Sequence, residues 1–150
     1  NRLGAITVKG VSEEAWKGNP VPRLAETQSG LLNSIGLQNA GAEQFIENDI
    51  PFLRQYDTKI IVNICGHTLS QYCAVAERFA DCDIDMLELN ISCPNVEEGG
   101  LSFGTDPHVV ERVVKAVHHY ALFPFVFHEV LFGLLPAQRF SAGIYSEWKE

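Results

Sequence analysis

Alternation is the strongest signal in this chain. From Met86 to Ile91 successive side chains divide cleanly, with Leu87, Leu89 and Ile91 on one face of a strand and Met86, Glu88 and Asn90 on the other. Pro94 ends that strand, because it lacks an N–H and fixes φ, so Cys93 and Asn95 fall in a turn just past its C-terminal end. Gly4 to Lys9 (GAITVK) reads as a second strand, with Ile6 and Val8 opposed to Ala5, Thr7 and Lys9. Lys59 to Ile64 (KIIVNI) reads as a third, with Ile60, Val62 and Ile64 opposed to Ile61 and Asn63.

Helical spacing fills the gaps between these runs. Ala42 to Tyr56 carries an apolar stripe of Phe45, Ile46, Phe52, Leu53 and Tyr56, which Pro51 should break or restart. Thr68 to Ala80 opens on the capping box Thr68-x-x-Gln71 and keeps Leu69, Tyr72, Cys73, Ala76 and Phe79 on one side. That spacing makes Cys73 a small core hydrophobe. Asp106-Pro107 caps a helix with Val110, Val113, Val114 and Val117 along one face. Phe123 to Phe127 is a candidate fourth strand within a Phe-rich tail that departs from this order.

Strands alternating with helices describe βα repeats and hence a parallel sheet, an α/β fold. Lys9, Asn63 and Asn90 then stand at matching places, each near the C-terminal end of its strand and off the regular apolar face. In a (β/α)8 barrel the inward residues at that end point into the active site. The pattern therefore suggests a pocket lined by a lysine, two asparagines and Cys93. Each member has a plainer reading too: Lys9 as a snorkelling surface lysine, Asn63 as a core amide satisfied by neighbouring backbone. The long Gly/Pro/Asn-rich segment from Val11 to Gly41 carries Asn33, Ser34, Gly36, Gln38 and Asn39 around apolar Leu32, Ile35 and Leu37, and is either a β-hairpin with polar turns or a substrate loop whose amides point inward.

Composition narrows the function without choosing it. The 150 residues carry a formal charge of −8 and no Lys/Arg cluster, which argues against nucleic acid or an anionic membrane as partner. The tail is too interrupted by Pro124 and His128-Glu129 for a transmembrane helix. Cys65, Cys73, Cys82 and Cys93 form no CxxC pair and have no histidines at zinc spacing, so no metal site is expected. With no signal peptide legible, reduced thiols in a cytoplasmic protein are the natural reading.

The motifs GAITVKG, GNPVPRLAET, LLNSIGLQN, IIVNICG and LELNISCPN followed by GGLSFGTDP, in this order, resemble the dihydroorotate dehydrogenases. These are FMN-dependent (β/α)8-barrel enzymes that oxidise dihydroorotate to orotate in pyrimidine biosynthesis. The resemblance implies a partial TIM barrel over 1–117, about half of the whole, followed by a divergent tail over 118–150. By position it implies Cys93 as the catalytic base, and Lys9, Gly10, Asn63 and Asn90 as flavin contacts. It implies substrate contacts at Lys9, Asn33, Ser34, Ile35, Gly36, Leu37, Asn90 and Asn95. Cysteine at position 93 and the sequence CPNVEEGGLSFGT look like the cytosolic, NAD-linked type, whose barrel pairs with a subunit holding FAD and an iron–sulfur cluster; a homodimer is also implied. Two alternatives accompany this reading: a truncated, non-catalytic fragment unable to hold FMN alone, and a flavoprotein similar to dihydropyrimidine dehydrogenase.

Overall fold

In the computed structural model, residues 3–91, 107–121 and 123–128 are described. Four parallel strands form one sheet: β1 (Ala5–Thr7), β4 (Lys59–Ile64), β5 (Met86–Asn90) and β6 (Phe125–His128), in the order β1-β4-β5-β6. A separate antiparallel hairpin, β2 (Leu24–Thr27) and β3 (Gly30–Asn33), interrupts the long segment between β1 and β4. The chain is thus α/β with a parallel sheet, and the hairpin reading of the Val11–Gly41 segment holds for its middle. β6 lies beyond residue 117 and pairs with β5.

The helices follow the apolar spacing. α1 (Ala42–Gln44) runs through a π-helical turn (Phe45–Asp49) into α2 (Ile50–Leu53). Pro51, at the start of α2, cannot donate to the preceding turn, and the backbone widens just ahead of it, where Ile50 N–H reaches the Phe45 carbonyl. The helix is therefore reshaped at Pro51 and not ended there. α3 (Leu69–Phe79) starts at Thr68, whose Oγ1 accepts from Gln71 N–H at 3.3 Å. The reciprocal bond of the box is displaced by one residue, since Gln71 Oε1 accepts from His67 N–H at 2.7 Å. α4 (Pro107–Tyr120) buries Val113 and Val117.

α3 and α4 pack on each other and share one core with the sheet. Ile60, Val62, Ile64, Leu87 and Leu89 are fully buried against Tyr72, Val75, Ala76, Phe79, Val113 and Val117. Each buried Val, Leu, Ile or Phe among them stabilises the fold by about 1.5–3 kcal/mol through removal of apolar surface from water. Cys73 is half-buried at the edge of this layer, and burial pushes its thiol above the ordinary range. The other face of β4 and β5 carries Ile61, Asn63, Met86, Glu88 and Asn90, so the helices and the polar strand-end residues are on opposite sides of the sheet.

At the opposite, N-terminal end of the strands, Asp85 ties three elements together. It accepts from Lys59 Nζ at 2.8 Å, from Arg54 Nη2 at 2.9 Å and from the Ile60 N–H at 2.9 Å. Burial raises the Asp85 carboxyl, but these three donors outweigh it and hold its pKa at about 2. This end of the sheet is built for stability.

Candidate functional site

At the C-terminal end of the sheet, Asn63 and Glu88 stand directly opposite each other in the β4–β5 register. Both are buried, with 5% and 7% of their surfaces exposed. Asn63 Nδ2 donates to Glu88 Oε1 at 2.6 Å, and Asn90 Nδ2 donates to Asn63 Oδ1 at 3.3 Å. Two asparagines 27 residues apart thus share one hydrogen-bonded cluster, with a carboxylate as its anchor. Tyr72, on α3, donates its hydroxyl to the Asn90 carbonyl and pins the end of β5 to the helix layer.

β1 reaches the same place by a different route. Thr7 pairs with Ile61, and Val11 bridges Ile64, so four residues on the first strand answer three on its neighbour. The extra residue breaks the alternation, as a β-bulge does. Lys9 is consequently exposed, while Gly10 is buried against Asn63. A Cβ on Gly10 would stand 3.0 Å from Asn63 Oδ1, 3.5 Å from Cys65 Sγ and 3.8 Å from Leu37 Cδ2. Matching Lys9 to Asn63 by parity alone does not allow for that extra residue; Gly10 is the residue set against the asparagine.

The loop after β3 is strapped down by side chains of the same long segment. Asn19 Nδ2 donates to the Ser34 carbonyl and to Ser34 Oγ, both at 3.0 Å, and Asn19 N–H donates to the Ile35 carbonyl at 3.0 Å. Gly36 has φ +73°, and a Cβ there would lie 2.8 Å from three atoms of Asn19, so only glycine fits. Leu37 is left-handed as well, at φ 51°. Asn39 holds it there: Nδ2 donates to the Leu37 carbonyl at 2.9 Å, while Oδ1 accepts from Ser12 N–H at 3.1 Å and Gly41 N–H at 3.0 Å.

The structure therefore brings Gly10, Leu37, Asn63 and Asn90 together. Asn33 and Ser34 are exposed at the foot of the hairpin, and Ser34 is engaged with Asn19. Ile35 and Gly36 are half-buried between these positions. Cys93 and Asn95 lie outside the described residues. Nearby, Trp16 stacks on His67 at 4.3 Å beside a cavity of about 140 Å³ lined by Ser12, Glu13, Trp16, Cys65 and Gln71. The sequence marks Asn39 only as one polar residue of the long loop, and it assigns no site role to Glu88 or Tyr72. For Glu88 a signal existed: a carboxylate on the same strand face as Asn90 must find a partner when buried.

A buried and a half-buried amide, with a glycine packed close against one of them, suit a planar heterocycle with alternating donors and acceptors. Among the described residues, no group of His, Cys, Asp and Glu is arranged to hold a metal ion, and no helix is long and apolar enough to cross a membrane.

Comparison with known proteins places this arrangement in context. The family model for dihydroorotate dehydrogenase matches residues 1–134. The catalytic subunit of dihydroorotate dehydrogenase B (NAD(+)) from Alkaliphilus metalliredigens is 63% identical over 126 residues, covering 84% of this chain and 42% of that protein. The same subunit from Alkaliphilus oremlandii is 62% identical over 126 residues, with the same coverage of each chain. The one from Listeria welshimeri is 50% identical over 125 residues, covering 83% of this chain and 41% of that protein. The chain thus spans less than half the length of these relatives.

Proposed function

The chain belongs to the dihydroorotate dehydrogenase family, and from that premise we propose that it is part of a flavoenzyme that oxidises dihydroorotate to orotate in pyrimidine biosynthesis. The observation that carries the proposal is the hydrogen-bonded pair of buried Asn63 and half-buried Asn90, set against Gly10 at the C-terminal end of a parallel sheet. Ligands of α/β proteins bind at that end. The sheet order supports an arc of a (β/α)8 barrel, since strands of successive βα units are neighbours and α3 and α4 lie on one face. A doubly wound sheet would reverse its order and place helices on both faces.

Bound FMN would supply the hydride acceptor. In the proposed division of labour, the Asn63 and Asn90 amides and the Gly10 backbone hold and orient the flavin ring. Lys9 places a positive charge beside flavin and substrate, offsetting negative charge that develops there. Asn33, Ser34, Ile35, Gly36 and Leu37, with Asn90 and Asn95, position the pyrimidine so that the reacting atoms align. Cys93 receives the proton leaving the substrate, and as a thiolate it would be matched to that task near neutral pH. The relatives' designation as catalytic subunits supports a partner subunit. FAD and an iron–sulfur cluster on that partner, a homodimer and a cytoplasmic location belong to the same proposal.

The test is direct. Purified chain incubated with FMN is expected to retain yellow absorbance after gel filtration and to bleach when dihydroorotate is added without oxygen. A colourless protein that cannot be reconstituted would defeat the reading for this chain.

A further inference from the structure

We propose that Glu88 is a positioning residue of this site, whose carboxylate decides which way the Asn63 and Asn90 amides face and so which hydrogen-bonding groups a ligand meets. The inference rests on the reading that a ligand binds at these asparagines. An amide's oxygen and nitrogen ends are nearly equal in size, so shape alone does not choose between an amide and its flipped form. Hydrogen bonding does choose. Asn63 Nδ2 donates to Glu88 Oε1 at 2.6 Å, so the carboxyl oxygen holds the Asn63 NH2 on its own side.

The choice then propagates. With Nδ2 committed, Asn63 turns Oδ1 the other way, where it packs against Gly10, 3.0 Å from the place a Cβ would take, and accepts from Asn90 Nδ2. With Nδ2 turned to Asn63, Asn90 carries Oδ1 at the other end of its amide, the end we assign to the ligand. The edge presented by Asn90 is an acceptor edge and suits a ring N–H of a planar heterocycle. A neutral amide in place of Glu88 could donate as readily as accept and would leave both asparagines free to flip. Burial strengthens the relay, because hydrogen bonds polarise each other in a low-dielectric setting. A purely space-filling role would not call for a carboxyl group with 7% exposure, since burying a polar group is costly unless it is hydrogen-bonded.

The experiment compares the ¹⁵N-labelled, ligand-free chain with Glu88→Gln, which keeps the side-chain volume. The side-chain NH2 signals of both Asn63 and Asn90 are expected to shift together, and their exchange with solvent to speed up several-fold, while backbone signals away from β4 and β5 stay in place. Asn90 NH2 signals that do not move would overturn the relay. Should Glu88→Gln fail to fold, Gly10→Ala tests the same chain of contacts from the other side: it crowds Asn63 Oδ1 and should shift the Asn90 NH2 signals, whose constancy would again overturn it. FMN titration, followed by fluorescence quenching, is expected to show about tenfold weaker binding in Glu88→Gln, the size of one lost charge-assisted hydrogen bond. Unchanged FMN affinity in a chain that binds FMN would count against positioning toward the ligand. If the unsubstituted chain binds no FMN, the functional reading falls, and the relay is judged by the amide signals alone.

Discussion

Asn39 donates through Nδ2 to the carbonyl of Leu37 at 2.9 Å, and Leu37 is held at φ 51°, a conformation that L-residues with branched side chains avoid. The asparagine thus stabilises backbone strain beside Gly10, where Leu37 Cδ2 lies 3.8 Å from the place a Cβ would take. Strain of this kind, about 1–2 kcal/mol, persists only when neighbouring contacts over-determine it.

Asn39→Ala should therefore release the loop. It removes the bond to Leu37 and leaves Ser12 and Gly41 N–H without their acceptor. A loss of about 2–3 kcal/mol is expected from a partly buried site of this kind, read as a lower urea midpoint at constant m-value. An unchanged midpoint would show that the loop is held by other contacts.

Gly36→Ala is expected to destabilise by at least about 1 kcal/mol, because alanine both resists a positive φ and places a Cβ 2.8 Å from Asn19. Limited proteolysis should then cut between residues 34 and 38 faster than in the unsubstituted chain. Equal cleavage rates would mean that Asn19 can move aside freely.

The Asp85 clamp sets an acid limit. Its folded-state pKa of about 2 lies below the ordinary 3.8, so the folded state binds this proton less readily than the unfolded one. The resulting stability is fully present above about pH 4 and is lost as pH falls through about 2. Asp85→Asn should remove about 1–2 kcal/mol at neutral pH, after allowance for solvent screening, and should flatten the acid limb of a stability-versus-pH curve. A variant that keeps the same acid limb would locate that dependence elsewhere.

Tyr72→Phe deletes one hydroxyl from a fully buried ring and leaves the Asn90 carbonyl without that donor. The expected cost is about 1–2 kcal/mol, or a fall in Tm of roughly 2–8 °C. Hydrogen exchange should rise at the C-terminal end of β5 more than in β4. A uniform rise across both strands would argue that the hydroxyl supports the whole sheet.

Cys93→Ala is expected to leave FMN bound while abolishing bleaching by dihydroorotate. Cys73→Ala should change neither. Burial raises the Cys73 thiol, which keeps it protonated and unreactive near neutral pH, so alkylation of that residue should be slow until the solution is strongly basic. Bleaching that survives in Cys93→Ala would remove that residue from the proposed chemistry.

Local sequence settled a good deal of this protein. Period-two alternation in KIIVNI and MLELN was enough to place Ile60, Val62, Ile64, Leu87 and Leu89 in the core and Asn63 and Asn90 on the other face. The helix from Leu69 was marked by its own cap. Such signals are legible because each depends on residues a few positions apart, and the family resemblance was carried by the same short runs.

The tertiary structure decided the rest. The bulge that exposes Lys9 and buries Gly10 exists only in the pairing of β1 with β4, which no count along β1 alone reveals. Glu88 looked like one more polar position until strand register set it opposite Asn63, 25 residues away. Tyr72 fitted the apolar stripe, and only packing showed where its hydroxyl goes. Periodicity determines the face on which a side chain lies, whereas its hydrogen-bond partner depends on register and burial, which arise only when distant strands meet.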